Sequence, residues 1–190
     1  MRIPTLPLLV LCLVPFAACQ IPASTQLENM YLKLAEDSTA AKTRPKEAKE
    51  IQKTLDRSIE RTRKFLEEGQ IQTPDDSYYA AFILYESPVL EDVMQAQELA
   101  LNAYEGGVED AIRVAAHCMD RSLLMRELPQ TFGTQFVFEP VLMKWRVWDV
   151  DPSTTDAERQ AFNLPPLTEL RARVDEINAQ QEAERAASEE

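Results

Sequence analysis

The fold is decided by residues 108–127, which read VEDAIRVAAHCMDRSLLMRE. Apolar side chains recur at helical spacing along this stretch and cover more than half of a helical wheel. The remaining stripe is polar and carries Arg113, His117, Asp120 and Arg121. We therefore expect a central, largely buried helix. Its polar stripe needs water, another helix or the following loop as a partner, because an unpaired buried charge is costly.

Three further helices are predicted upstream, separated by short breaks. Apolar residues recur every three or four positions in the first, and Gly69 ends it. The second follows Thr73-Pro74-Asp75-Asp76, which has the form of an N-cap, a proline in the first turn and acidic residues facing the helix dipole. The three helices cover about residues 45–68, residues 78–85, and the segment from Ser87-Pro88 to Gly106-Gly107.

Downstream of Pro129 the pattern changes to short β-branched and aromatic runs. Residues 134–138 and 144–148 alternate in part and are separated by Glu139-Pro140, which predicts a hairpin near residues 134–150. Trp145 and Trp148 in the second run could belong to a ligand surface, although packing is the commoner use of tryptophan.

The last part of the chain predicts two helices. Thr155 and Glu158 form a capping box for a short one. Leu164-Pro165-Pro166 then leads into a helix from about Leu167. Its end, from Gln180 onward, has almost no large apolar residue and should fray.

We therefore expect a mainly α fold, an antiparallel helical bundle with a small β-hairpin after the central helix. The expected order is a signal peptide at residues 1–18, a lipidated N-terminus and tether or helix at 19–44, one helical domain at 45–178, and an acidic frayed tail at 179–190. Removal of 18 of the 190 residues leaves 172, enough for one domain with a substantial core.

Residues 13–19, LVPFAAC, indicate where the protein resides. Arg2, an apolar segment at residues 3–16 and the small pair Ala17-Ala18 are typical of a bacterial lipoprotein signal peptide. Cleavage would leave Cys19 first, ready for acylation. The alternative is an ordinary secretory signal cut after Ala18. A membrane-spanning helix needs about 20 apolar residues, and this proline-interrupted run is shorter.

The expected location is the cell envelope, with a lipid anchor in the membrane. In a Gram-negative bacterium, Gln20 rather than aspartate after the cysteine favours the outer membrane, facing the periplasm. Removal of Arg2 changes the net charge from -12 to -13, which disfavours nucleic acid as a partner. Residues 42–68 carry nine basic and six acidic side chains, so this segment either lies on anionic lipid or forms a solvated helix face.

Neither a metal nor a cofactor is expected. With Cys12 removed and Cys19 acylated, only Cys118 remains free, and its apolar setting predicts an inert buried thiol. A single histidine argues against zinc. The aspartates after the hairpin do not form a calcium loop, because Thr154 and Gln160 stand where glycine and glutamate are required. No P-loop, dinucleotide or nucleophile-elbow motif is present.

Asp120-Arg121, the stretch QTFGTQF at residues 130–136 and NLPPL at residues 163–167 resemble a bacterial family known only as a domain of unknown function. Its signature is approximately Asp-Arg, then Gln-x-Tyr-Gly-Thr-Gln-Phe, then Gly-Leu-x-Pro-Leu. The resemblance spans about residues 75–176, with the motifs in the same order. Departures are Phe132 for tyrosine, Asn163 for glycine, and Tyr85-Glu86 where many members carry Gln-His, the family's candidate base or metal ligand.

Asp120, Arg121, Gln130 and Gln135 are the candidate binding residues. They could form a polar pocket for a carboxylate or amide ligand, or a latch in which Asp120 and Arg121 fasten backbone groups of the loop. We favour the latch, because buried polar groups need partners and the motif holds no nucleophile. His117, within one helical turn of Asp120, is with it the catalytic candidate, although a histidine satisfied by a carboxylate is commoner.

The expected function is that of a membrane-anchored envelope lipoprotein that acts as an interaction or ligand-binding module. Its expected partners are the membrane, through acylated Cys19, and a protein or a small polar ligand. The alternative is a small hydrolase-like enzyme that uses Asp120, Arg121 and Gln135.

Overall fold

The computed structural model describes residues 21–43 and 48–188, and this part of the chain forms seven α-helices and one antiparallel hairpin. The expected mainly α fold with a small hairpin after the central helix is thereby confirmed. The predicted signal peptide and Cys19 lie outside the described residues. The elements are α1 (Ala23–Thr43), α2 (Ala48–Glu67), α3 (Pro74–Tyr85), α4 (Leu90–Glu105), α5 (Ala111–Leu124), β1 (Phe136–Glu139), β2 (Lys144–Val147), α6 (Asp156–Ala161) and α7 (Leu167–Ser188).

Helices α3, α4 and α5 pack in sequence order and form the centre of the molecule. The side chain of Thr73 accepts a hydrogen bond from the Asp76 amide at 3.0 Å, and Asp76 accepts one from the Thr73 amide at 3.1 Å. The predicted N-cap at Thr73 is thus part of a capping box, and with Pro74 in the first turn it fixes the start of α3. Small residues let the three helices approach closely, and they are fully buried: Ala80, Ala81, Ala96, Ala100 and Ala103.

Within the segment where we expected a tether or a helix, α1 is helical and packs in this core. Leu27 is completely buried and packs in the main hydrophobic cluster. The ring of Tyr31 contacts those of Tyr79 and Phe82 on α3 at centroid distances of 5.1 and 4.9 Å. The hydroxyl of Ser24 donates to the carboxylate of Asp76. These long-range contacts hold a helix whose own apolar pattern is weak.

Helix α2 buries one narrow face and exposes its charges. Ile59, Thr62 and Phe65 are buried against the bundle. Arg63 donates from Nε to the carboxylate of Asp92 on α4 at 3.0 Å, so an ion pair also joins the two helices. On the outer face, opposite charges pair at helical spacing, as in Lys53–Glu50 and Lys64–Glu68.

The hairpin lies against α7, which extends further than its composition predicted. Strand β1 pairs with β2 in the register Phe136↔Val147 to Glu139↔Lys144. The side chain of Asn178 donates to the Trp145 carbonyl at 2.8 Å and accepts from its amide at 2.7 Å. Lys144 pairs with Glu182 at 3.1 Å. The end that we expected to fray from Gln180 is helical to Ser188, because contacts with the hairpin replace the missing apolar residues.

Candidate functional site

Asp120 of α5 organises the loop that follows the helix. Its Oδ1 accepts the amides of Thr131 and Phe132, both at 2.8 Å, and its Oδ2 accepts the amide and the hydroxyl of Thr134, both at 2.9 Å. The side chain is fully buried. Four donors on one carboxylate are enough to satisfy it without a ligand. Asp120 therefore anchors the loop to the helix.

Gln130 closes the same loop onto the hairpin. Its Nε2 donates to the carbonyls of Gln135 and Trp148, at 3.1 and 2.8 Å, and its Oε1 accepts the Gln135 amide at 2.8 Å. Its backbone also pairs with Asp149 and Asp151 on the other side. Like Asp120, this fully buried side chain has its hydrogen-bonding groups occupied by the protein.

Gln135 and Arg121 extend from this network to the end of α3. The Gln135 Nε2 lies 3.3 Å from the hydroxyl of Tyr85 and 3.3 Å from the carbonyl of His117. The guanidinium of Arg121 lies 5.1 Å from the centre of the Tyr85 ring and donates to the Ser87 carbonyl at 3.3 Å. Its Nε is buried and has no hydrogen-bond partner within the described chain. Tyr85 therefore lies between the loop network and a cavity on its other side.

That space is a pocket of about 280 Å³ between α3 and α5. Its walls are largely apolar and aromatic, and its polar groups come from the end of α3 and one face of α5. Helical spacing explains the lining, because residues three or four apart share a face. The lining residues are Tyr78, Phe82, Tyr85, Glu86, Asp110, Arg113, Val114 and His117.

Glu86, the C-cap of α3, faces this pocket with a half-buried carboxylate. No described group forms a hydrogen bond or ion pair with that carboxylate. Burial raises the pKa of Glu86, and the positive charge of Arg121 opposes the shift without cancelling it. The pocket therefore contains an acidic group that the protein itself does not satisfy.

His117 faces the same pocket from α5, and its ring contacts Tyr85 edge-on at a centroid distance of 6.1 Å. Burial lowers the pKa of His117, the charge of Asp120 opposes this, and Arg113 adds to it. The imidazole makes no hydrogen bond within the described residues, and both Asp120 oxygens are engaged by the loop. The expected His117–Asp120 hydrogen bond is therefore not formed.

The mouth of the pocket carries an ion pair that neutralises itself. Arg113 Nη2 lies 3.2 Å from Asp110 Oδ1, and both side chains are more than half exposed. Such a surface pair contributes little to stability, about 0–1 kcal/mol. Its effect on the site is to leave Glu86 as the unpaired charge among the lining residues.

The polar residues of α5 that the sequence places on one face have two different roles. Asp120 holds the loop, whereas Arg113 and His117 line the pocket. Sequence reasoning missed Glu86 and Tyr85 as site residues. The one signal in the sequence was that Tyr85-Glu86 stands where the resembled signature has Gln-His.

The other candidates of the sequence have structural roles. Trp148 Nε1 donates to the Leu128 carbonyl at 2.8 Å, and the ring of Trp145 packs on Phe138 at 5.4 Å. Cys118 is fully buried, and burial raises the pKa of its thiol to about 12. Within residues 21–43 and 48–188, no cluster of three or more histidine, cysteine or acidic side chains could hold a metal ion.

Comparison of the chain with protein-family models, with curated proteins and with solved structures finds no match. Among the described helices, none combines the length and the apolar character needed to cross a bilayer.

Proposed function

We propose that the protein is a lipid-anchored envelope lipoprotein whose helical domain is a ligand-binding module, and that the ligand occupies the pocket between α3 and α5. One observation carries the proposal: Glu86 and His117 face the pocket and make no hydrogen bond with the described protein, whereas the side chains of Asp120 and Gln130 in the neighbouring network are fully engaged. The side chains of Glu86 and His117 are partly buried, and polar groups that line an apolar cavity without a partner in the protein are available to a ligand.

A binding function accounts for the geometry better than the hydrolase-like alternative built on Asp120, Arg121 and Gln135. A substrate could reach the Asp120 carboxylate only by displacing the four donors of the loop. The nearby thiol of Cys118 is buried and protonated at neutral pH, so it supplies no nucleophile.

The likeness to the family of unknown function remains part of the proposal. It is supported by the contacts of Asp120 and Gln130, which use the residue types that the motif specifies at those positions. The anchor at Cys19 rests on the sequence of residues 13–19. We expect no nucleic-acid partner, because the negative net charge would repel a phosphate backbone.

The stability of the Glu86→Gln variant tests the carrying observation. A pKa above the ordinary value means that ionised Glu86 destabilises the folded state at neutral pH. We therefore expect Glu86→Gln to raise the free energy of unfolding by about 0.5–1.5 kcal/mol. Replacing a destabilising functional residue often stabilises a protein by a similar amount. Urea denaturation at pH 7 measures the change.

Glu109→Gln is the matched control. Glu109 is exposed near the start of α5, and its substitution removes the same charge outside the pocket. It should leave the free energy of unfolding within about 0.5 kcal/mol of the wild type. A loss of stability in Glu86→Gln would show that the carboxylate serves the fold, and the proposal would lose its basis.

A further inference from the structure

We infer that the pocket between α3 and α5 takes a small organic cation, an ammonium group carried on an apolar or aromatic body. The inference rests on the proposed function and names the ligand class of the same pocket. Three observations lead to it: the unpaired charge, the chemistry of the walls and the volume.

The charge of the lining is negative at neutral pH. Asp110 and Arg113 cancel in their ion pair, and the depressed pKa keeps His117 neutral, which leaves the carboxylate of Glu86. Arg121 is not a lining residue: its guanidinium lies against the Tyr85 ring and donates to the Ser87 carbonyl, and its charge acts on Glu86 without cancelling the effect of burial on the pKa of Glu86. An anionic ligand would therefore meet repulsion inside the pocket, whereas a cation would find a partner for Glu86.

The walls favour an organic cation over a hydrated inorganic one. Tyr78, Phe82 and Tyr85 present aromatic rings, and Val114 adds an aliphatic surface. Aromatic faces attract an ammonium group, by about 0.5–2 kcal/mol depending on desolvation, and they also pack against an apolar body. An inorganic cation would need several oxygen ligands, and the lining offers it few.

The volume limits the size of the ligand. Liquid water would fill a space of 280 Å³ with about nine molecules, taking about 30 Å³ for each. A molecule with one aromatic ring and one small polar group fits within that space. Benzylamine, which has one ring and one ammonium group, matches the pocket in size and chemistry.

The test compares benzylamine with benzyl alcohol and benzoate, which have almost the same shape but are neutral and anionic. Saturation-transfer NMR on the purified full-length protein at pH 7.5 measures the binding of each. We expect benzylamine to bind about tenfold more tightly than benzyl alcohol, the effect of one charge-assisted contact, and benzoate to bind least. Glu86→Gln should abolish the preference, and Glu109→Gln should keep it.

A second variant tests the walls without changing a charge. Phe82→Leu should weaken benzylamine binding several-fold while its circular dichroism stays close to that of the wild type; its melting temperature should fall, because the ring also contacts Tyr31. Equal binding of the amine and the alcohol, tighter binding of benzoate, failure of benzylamine to bind, or persistence of the preference in Glu86→Gln would each overturn the inference.

The outcomes also separate this inference from the proposed function. If benzyl alcohol or benzoate binds as well as benzylamine and Phe82→Leu weakens that binding, the pocket is a ligand site and only the choice of a cation is wrong. If none of the three compounds binds and Glu86→Gln lowers stability, both the inference and the proposed function fail.

Discussion

Asp120 on α5 and Glu86 at the end of α3 are both acidic, and their surroundings give them opposite roles. Asp120 accepts four hydrogen bonds from one loop, whereas Glu86 accepts none from the described protein. The first carboxylate stabilises the folded state through its partners, and the second destabilises it through desolvation. Mutating each of them therefore distinguishes structural from functional use of the site.

Replacement of Asp120 by asparagine should be strongly destabilising. An amide nitrogen cannot accept the backbone N–H groups that Oδ1 or Oδ2 accepts, so buried donors lose their partner. We expect the free energy of unfolding to fall by about 2–4 kcal/mol, measured by urea denaturation. Asp175→Asn, on the exposed face of α7, is the control and should change it by less than about 0.5 kcal/mol. Equal effects of the two changes would contradict the latch.

His117 should make stability depend on pH in the mildly acidic range. The folded-state pKa lies below the unfolded value of about 6.5, so the unfolded chain binds more protons just below that pH. Stability therefore falls as pH decreases through about 6.5 and continues to fall until the folded-state pKa is reached. His117→Asn should remove this fall, as measured by urea midpoints between pH 5 and 7.5.

Glu86 contributes with the opposite sign, because its raised pKa makes stability decrease as pH rises above the ordinary glutamate value. This contribution stays in the His117→Asn variant and becomes easier to observe there. A pH profile identical to that of the wild type would mean that the imidazole is already free to titrate in the folded state.

Features set by neighbouring residues could be predicted from the sequence, whereas the pocket could not. The N-cap at Thr73 and the capping box at Thr155 lie within a few residues of their partners, and both form as expected. Asn163 adopts a φ of 54°, a conformation that asparagine tolerates better than most other residues. Glu86 becomes a site residue only through the packing of α3 against α5, which brings His117, 31 positions later, to the same cavity.

At the scale of elements, the loop between α5 and β1 is the most constrained connection of the site. Gly133 in this loop has a φ of 75°. A Cβ atom there would lie 2.8 Å from Leu167 Cδ1 and 3.3 Å from Arg159 Nη1. Backbone conformation and crowding therefore both require glycine at this position.

Gly133→Ala should destabilise the protein more than Gly69→Ala, which is its natural control. Gly69 has a similar φ of 65°, but a Cβ atom there would meet nothing within 4 Å. Gly69→Ala should therefore cost about 1 kcal/mol from backbone strain alone. We expect Gly133→Ala to cost about 1–3 kcal/mol more, since the overpacked Leu167 must move. Urea denaturation measures both, and equal losses would show that the loop can move away.

The helices with a clear apolar stripe could be predicted from the sequence, and those held by distant contacts could not. Helices α2, α4 and α5 have amphipathic patterns that the periodicity identifies. The packing of α1 depends on Tyr31 and Ser24 contacting α3, and the end of α7 depends on Lys144 pairing with Glu182. Those contacts join residues between 38 and 52 positions apart, so no local pattern reveals them.

At the scale of the whole molecule, α5 separates a structural side from a candidate binding side. Asp120 points to the loop and the hairpin, whereas His117 and Arg113 line the pocket with α3. Tyr85 contacts both sides through its hydroxyl and its ring. A ligand that displaces the Tyr85 ring would therefore also disturb the contact with Gln135.

Acylation of Cys19 is tested on the whole protein in bacteria. Labelling with a fatty-acid analogue should mark the wild type, and Cys19→Ser should lose both the label and membrane association. Cys118→Ala is the control and should keep both, because that thiol is buried in the domain. A Cys19→Ser protein that keeps the label would exclude the proposed anchor, and a label lost without release from the membrane would point to a second attachment.

The position at which α1 begins limits the distance between the domain and the membrane if Cys19 is acylated. Ala23 begins the helix and Leu27 is already in the core, so an acylated Cys19 would lie only four positions before the first residue of α1. Four residues extend at most about 14 Å, less than the radius of gyration of about 15 Å expected for a domain of this size. The pocket would then stay close to the surface of one leaflet, and only a ligand present near that surface could reach it.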